Sequence, residues 1–124
     1  MIIKLNCVKL KTVEESIMDF EYIKTINLSQ LIEREGVYHR LENGLELALF
    51  LIDGTVYAVD NKCPHMGMPL HEGAIADKNV LVCRYHQWKF DLKTGISTFA
   101  PNIYVKKYET RIEDGFVYVK VPKY

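Results

Sequence analysis

The chain is predicted to be all-β, an antiparallel sandwich or barrel, and three observations carry that expectation. Many short runs of alternating or apolar residues recur from residue 22 onward. Turn signals separate them at regular intervals: Asn43-Gly44, Asp53-Gly54 and Glu113-Asp114-Gly115. Two short boxes rich in Cys and His follow strand-like segments, as loops held by a rigid scaffold would.

The elements follow in order. In the leader, the alternation Ile3, Leu5, Cys7 slips by one position to Val8 and Leu10, which reads as a bulged strand or two short ones. Thr12 with Glu15 resembles a capping box, and Val13, Ile17 and Phe20 fit one face of a short helix. Residues 22–26 form a strand. Asn27 with Gln30 caps a short helix carrying Leu28, Leu31 and Ile32, ended near Gly36. Residues 37–41, 45–52 and 55–60 are strands, joined by turns whose Asn-Gly and Asp-Gly pairs supply positive φ. Residues 80–83 and 88–91 are two more, with Asp91 to Gly95 as a turn between structure elements. Residues 104–111 and 115–121 close the chain as a hairpin.

Length and composition narrow the function. At 124 residues the chain is one domain, large enough to bury about two thirds of its unfolded surface. Sixteen basic and sixteen acidic side chains cancel, so no global field draws it to nucleic acid or anionic lipid. No apolar run approaches the ~18 residues of a membrane span. Charges at Lys4, Lys9, Lys11, Glu14 and Glu15 interrupt the first residues, so no signal peptide is expected and the location expected is the cytoplasm. Three cysteines leave one over from any disulfide framework and suit a reducing compartment. Cys7 is the spare, read as a small buried hydrophobe.

The chemistry lies in Cys63-Pro64-His65 and Cys83-Arg84-Tyr85-His86, with 17 residues between His65 and Cys83. Thiolates are soft, charged ligands that favour iron–sulfur clusters or zinc, and neutral imidazole suits several first-row metals. Two of each can bind Zn²⁺ tetrahedrally. Zinc-finger spacing, however, pairs like ligands, whereas each box here mixes them.

That mixed spacing resembles the Rieske [2Fe–2S] family. Cys63-Pro-His65-Met-Gly67 followed by Pro69-Leu70 resembles its first box. Cys83-x-x-His86-x-Trp88-x-Phe90-Asp91 with Thr94-Gly95 resembles the second box of the soluble Rieske ferredoxins. The likeness covers about residues 22–121. It implies the Rieske iron–sulfur fold, a β-sandwich or barrel base with a small cluster-binding subdomain made of two loops. Residues 22–124 would be that domain and residues 1–21 an N-terminal extension.

The resemblance further implies one [2Fe–2S] cluster per chain, with Cys63 and Cys83 on the inner iron and His65 and His86 on the outer. Two ferric ions, two sulfides and two thiolates sum to zero charge, and neutral imidazoles add nothing. Accepting an electron is then easier than with four thiolates, and potentials run from about −150 to +300 mV. High-potential respiratory members carry a loop-clamping disulfide and a serine donor to a sulfide. This chain has Met68, Tyr85 and Trp88 at those positions, so the low end of the range is expected.

The function so implied is a soluble one-electron carrier rather than an enzyme. A flavin-containing reductase would be its donor, and a terminal oxygenase such as an aromatic-ring dioxygenase its acceptor. The small subunit of a nitrite-reductase-like complex and a redox-sensing interaction module are the alternatives. Arg84 stands where the family usually has proline, as a tuning or partner-binding charge or a solvated loop residue. His71 and His39 are read as structural, and Trp88 and Phe90 as packing beneath the second loop. Tyr85 either packs on the first loop or donates to a sulfur. Met66, Met68 and Pro69 form an apolar rim or simply pack the loop, and Pro101 matches a loop that shields the cluster.

Overall fold

The computed structural model describes residues 19–64, 67–85 and 87–122. Among these described residues, ten strands form three antiparallel sheets: β1 (Phe20–Asn27), β10 (Phe116–Pro122) and β9 (Thr110–Glu113); β2 (Gly36–Arg40), β3 (Glu46–Ile52), β4 (Thr55–Asp60) and β8 (Lys107–Tyr108); and β5 (Ala74–Ala76), β6 (Val80–Val82) and β7 (Lys89–Asp91). The all-β expectation is met.

The four-stranded sheet is the middle layer, and the sequence of β3 explains why. Leu47 and Leu49 point into one core with Val56, Ala58, Val117, Val119 and Val121. Ala48, Phe50 and Ile52 point into a second core with Val59, Leu70, Leu81, Phe90 and Leu92. Successive side chains alternate faces, so a strand covered on both sides must be a continuous apolar run. Leu-Ala-Leu-Phe-Leu-Ile is such a run. The outer sheet β1–β10–β9 seals the first core, where each fully buried valine contributes about 1.5–3 kcal/mol. The small sheet β5–β6–β7 seals the second.

Turn chemistry matches the sequence reading. Gly44 and Gly54 have φ of 94° and 81°, and Asp53 also takes positive φ, at 49°. These residues join β2 to β3 and β3 to β4 in the paired registers Arg40↔Glu46 and Ile52↔Thr55. The capping box at Asn27 is present: its Oδ1 accepts from the Ser29 amide at 2.9 Å, and its own amide donates to Gln30 Oε1 at 3.0 Å. The helix it starts is one 3-10 turn, Leu28–Gln30.

Three sequence expectations are corrected, and one strand is added. Phe20 lies on strand β1, half-exposed with Lys120 Nζ 5.3 Å from its ring, not on a helix face. Leu31 and Ile32 fall beyond the short turn rather than on a helix. The predicted strand 104–111 is divided: Lys107–Tyr108 pairs with β4, and Thr110–Glu113 with β10. A strand that changes sheets this way turns a corner of the sandwich. Strand β5 was not anticipated from the pattern. The leader readings at residues 1–18, Cys7 included, lie outside the described residues.

Candidate metal centre

The first loop leaves β4 and returns through a 3-10 turn, Leu70–Glu72, to β5. Asn61 anchors its base although only 4% exposed. The Asn61 amide donates to the Glu46 carbonyl at 3.0 Å, and its carbonyl accepts from the Leu70 amide at 3.0 Å. Its side-chain Oδ1 accepts from the His71 amide at 2.7 Å. A buried amide side chain needs such partners, since an unmet one costs about 1–3 kcal/mol. Above that base, the Cys63 amide donates to the Met68 carbonyl at 2.8 Å, and the Gly67 amide to the Cys63 carbonyl at 2.7 Å. Gly67 takes φ of 71°, the left-handed region in which glycine has no steric penalty.

The second loop joins β6 to β7 and repeats this construction. The Cys83 amide donates to the Trp88 carbonyl at 2.7 Å. In both loops, therefore, a cysteine amide meets the carbonyl five residues on. In both, the residue before that carbonyl has positive φ, 71° at Gly67 and 56° at Gln87. The two boxes differ in sequence and share a backbone device.

Cys63 and Cys83 are 2% and 1% exposed, and both belong to the core of Phe50, Leu70, Leu81 and Phe90. Two adjacent loops thus carry a buried thiol at matching positions, with soft donors on the inner side. That disposition fits an iron–sulfur group held from below by sulfur. Positions of the two histidines, His65 and His86, fall outside the described residues, as does Met66. Among the described residues, no group of three or more His, Cys, Asp or Glu side chains converges in a metal-holding arrangement.

The remaining candidates find their places. Phe90 is fully buried, and Trp88, Tyr85 and Met68 pack half-buried on the same core. Met68 therefore contributes to loop packing. Trp88 also meets Phe99 edge-on, ring centres 5.2 Å apart. The Tyr85 hydroxyl donates to Glu72 Oε1 at 3.3 Å, and Arg84 Nη1 lies 3.7 Å from the same oxygen. Arg84 thus faces an acidic partner within the chain. His71 is half-buried, its ring 5.4 Å from that of Tyr38, and His39 lies on β2. Asp91 caps its turn as read: its Oδ1 accepts from the Lys93 amide at 2.8 Å and its carbonyl from the Gly95 amide at 2.6 Å. Pro101 is exposed, while its neighbours Asn102, Ile103 and Tyr104 line a groove with Pro64 and Trp88. The third segment therefore lies against both loops.

Sequence reasoning passed over Asn61, Glu72 and Gln87. Asn61 gave a usable signal, a polar residue directly after an apolar strand and before the first box. The other two gave none, because Gln is no turn signal and both partners of Glu72 are distant in sequence.

Comparison with known proteins agrees with this geometry. The model of the Rieske [2Fe–2S] domain matches residues 22–109. The ferredoxin component of a naphthalene 1,2-dioxygenase system from Pseudomonas putida is 33% identical over 98 residues, 78% of this chain and 92% of that protein. A ferredoxin from Sphingomonas yanoikuyae B1 superposes with a TM-score of 0.74 at 30% identity, over 82% of this chain and all of that one. A Mycobacterium tuberculosis structure named for the small subunit of an NADH-dependent nitrite reductase gives 0.75 at 25% identity, covering 86% and 98%.

Proposed function

The chain belongs to the Rieske [2Fe–2S] domain family, and from that premise we propose that it is the ferredoxin component of an oxygenase system. It carries a [2Fe–2S] cluster and serves as a one-electron carrier. In the proposed arrangement Cys63 and Cys83 hold the inner iron, and His65 and His86 the outer. The observation that carries this reading is the pair of buried thiols, 2% and 1% exposed, under two loops of the same construction. The ferredoxin relatives support the choice of an oxygenase as acceptor. A flavin-containing reductase as donor and a cytoplasmic location complete the proposal. No helix among the described residues is long and apolar enough to cross a membrane.

The cluster supplies reversible one-electron storage, and the protein's part is to hold, orient and insulate it. Phe50, Leu70, Leu81 and Phe90 exclude water from the cysteine side. A low-dielectric floor disfavours added charge, which keeps the potential low among mixed-ligand centres. Residues 65 and 86 would then form the outward edge where electrons pass.

Electron paramagnetic resonance of dithionite-reduced protein, with iron and sulfide analysis, tests the assignment. The expected result is a mixed Cys/His signal with two irons and two labile sulfides per chain. Redox titration should give a potential at the low end of the range from about −150 to +300 mV. One zinc without labile sulfide refutes the carrier. Electron flux from reductase to oxygenase should require this chain and turn over many times per molecule. Stoichiometric binding that changes with oxidation state, without flux, would favour a sensor instead.

A further inference from the structure

We propose that Glu72 is a positioning residue that fixes the second loop against the first, an inference that rests on the metal centre proposed above. Its backbone is fastened on two sides. The Leu70–Glu72 turn is closed by the Gly73 amide on the Leu70 carbonyl at 2.9 Å. A Cβ on Gly73 would collide with the Val82 carbonyl oxygen, and one on Gly36 with the His71 carbonyl oxygen. The backbone on either side of Glu72 is thus pressed against β6 and β2, with glycine at both contacts.

From this fixed post one carboxylate oxygen engages two consecutive side chains of the other loop. Oε1 accepts from the Tyr85 hydroxyl at 3.3 Å and lies 3.7 Å from Arg84 Nη1. Arg84 and Tyr85 are the two residues between Cys83 and His86. Whatever holds them constrains the backbone that leaves Cys83.

The two contacts do different work. Arg84 is 66% exposed and Glu72 36%, and a solvent-screened surface ion pair of that kind contributes little. Tyr85 is half-buried against the core that holds both cysteines. Its hydroxyl therefore gives direction, and the guanidinium offsets the carboxylate's charge beside the centre. Removing the carboxylate charge favours the reduced state; removing the guanidinium disfavours it.

The test uses the cluster-loaded protein with Glu72→Ala, Glu72→Gln, Tyr85→Phe, Arg84→Ala and the Glu72→Ala/Tyr85→Phe double variant. Loss of visible absorbance under a chelator should accelerate about three- to tenfold in Glu72→Ala and Tyr85→Phe, and no further in the double variant, because both remove one interaction. Glu72→Gln should raise the reduced-to-oxidised ratio at fixed poise about threefold, about 30 mV at 59 mV per tenfold for one electron, and Arg84→Ala should lower it similarly. Amide exchange at Cys83 should quicken in Glu72→Ala. Should Glu72→Ala not fold, Glu72→Gln and Tyr85→Phe carry the test. Parental rates of cluster loss in the single variants, multiplicative rates in the double, or potentials unmoved or shifted in the same direction would overturn the inference. Parent protein without labile sulfide would instead overturn the metal centre itself.

Discussion

At the scale of single residues, the site depends on backbone states that side-chain identity only half reveals. Gly67 and Gln87 hold equivalent left-handed positions, yet only the first advertises it. A non-glycine residue there costs about 1–2 kcal/mol per residue, and a β-branched one costs more, since its Cβ substituents crowd the carbonyl. Gln87→Val is therefore expected to lower unfolding free energy by about 1–2 kcal/mol, while Gln87→Gly changes it little. Chemical denaturation of the three proteins checks the ordering. The mixed spacing of the two boxes marks four candidate ligands, and of these the structure describes Cys63 and Cys83, both buried. The carboxylate of Glu72 was not legible in the sequence, because its partners, 12 and 13 residues away, meet it only once both loops are folded.

Among the elements, β3 links fold to site. Its two faces serve different cores, so neighbouring substitutions should have separable effects. Leu49→Ala, on the face toward Val117 and Val119, should cost about 2–5 kcal/mol and leave cluster retention close to parental. Phe50→Ala, on the face shared with Cys63 and Cys83, should cost about 3–5 kcal/mol and also speed cluster loss. Unfolding curves and chelator kinetics on both variants separate the two effects. Equal retention would show that the floor of the site is indifferent to its packing. The middle-layer run and both hairpin turns were readable from β3 and its flanking Asn-Gly and Asp-Gly pairs. Strand β5 was not: Ala-Ile-Ala is three residues long, with weak β-propensity, and becomes a strand by pairing with Val82, Leu81 and Val80. The break near Glu109 was equally hidden. Tyr-Val-Lys-Lys-Tyr-Glu-Thr-Arg carries no Gly or Pro to mark a change of sheet.

For the whole molecule, two partly buried titratable groups, His39 and Asp60, shape the dependence of stability on pH. Burial on β2 pushes the His39 pKa below 6.5. The unfolded chain then binds more protons than the folded one just below that value. His39 thus contributes full stability above about pH 6.5 and loses it as pH falls through its folded pKa. Burial raises Asp60 above 3.8, against the opposing charges of Lys62 and Lys106, so its ionised form is a cost that disappears on acidification. The two trends have opposite sign. His39→Gln should flatten the loss of thermal stability between about pH 7 and 5 relative to the parent. Asp60→Asn should stabilise more at neutral pH than at about pH 4. Thermal unfolding across that range measures both, and a parallel offset at all pH values would contradict the assignments.

The matched closure of the two loops has a further consequence. Because Cys63 and Cys83 each commit their amide to a carbonyl of their own loop, the thiol-bearing backbone is set before any electron comes or goes. A frame already fixed has few nuclei to displace when the charge it surrounds changes by one. Small reorganisation favours rapid exchange in both directions, a useful trait in a shuttle that must give up its load as readily as it accepts it.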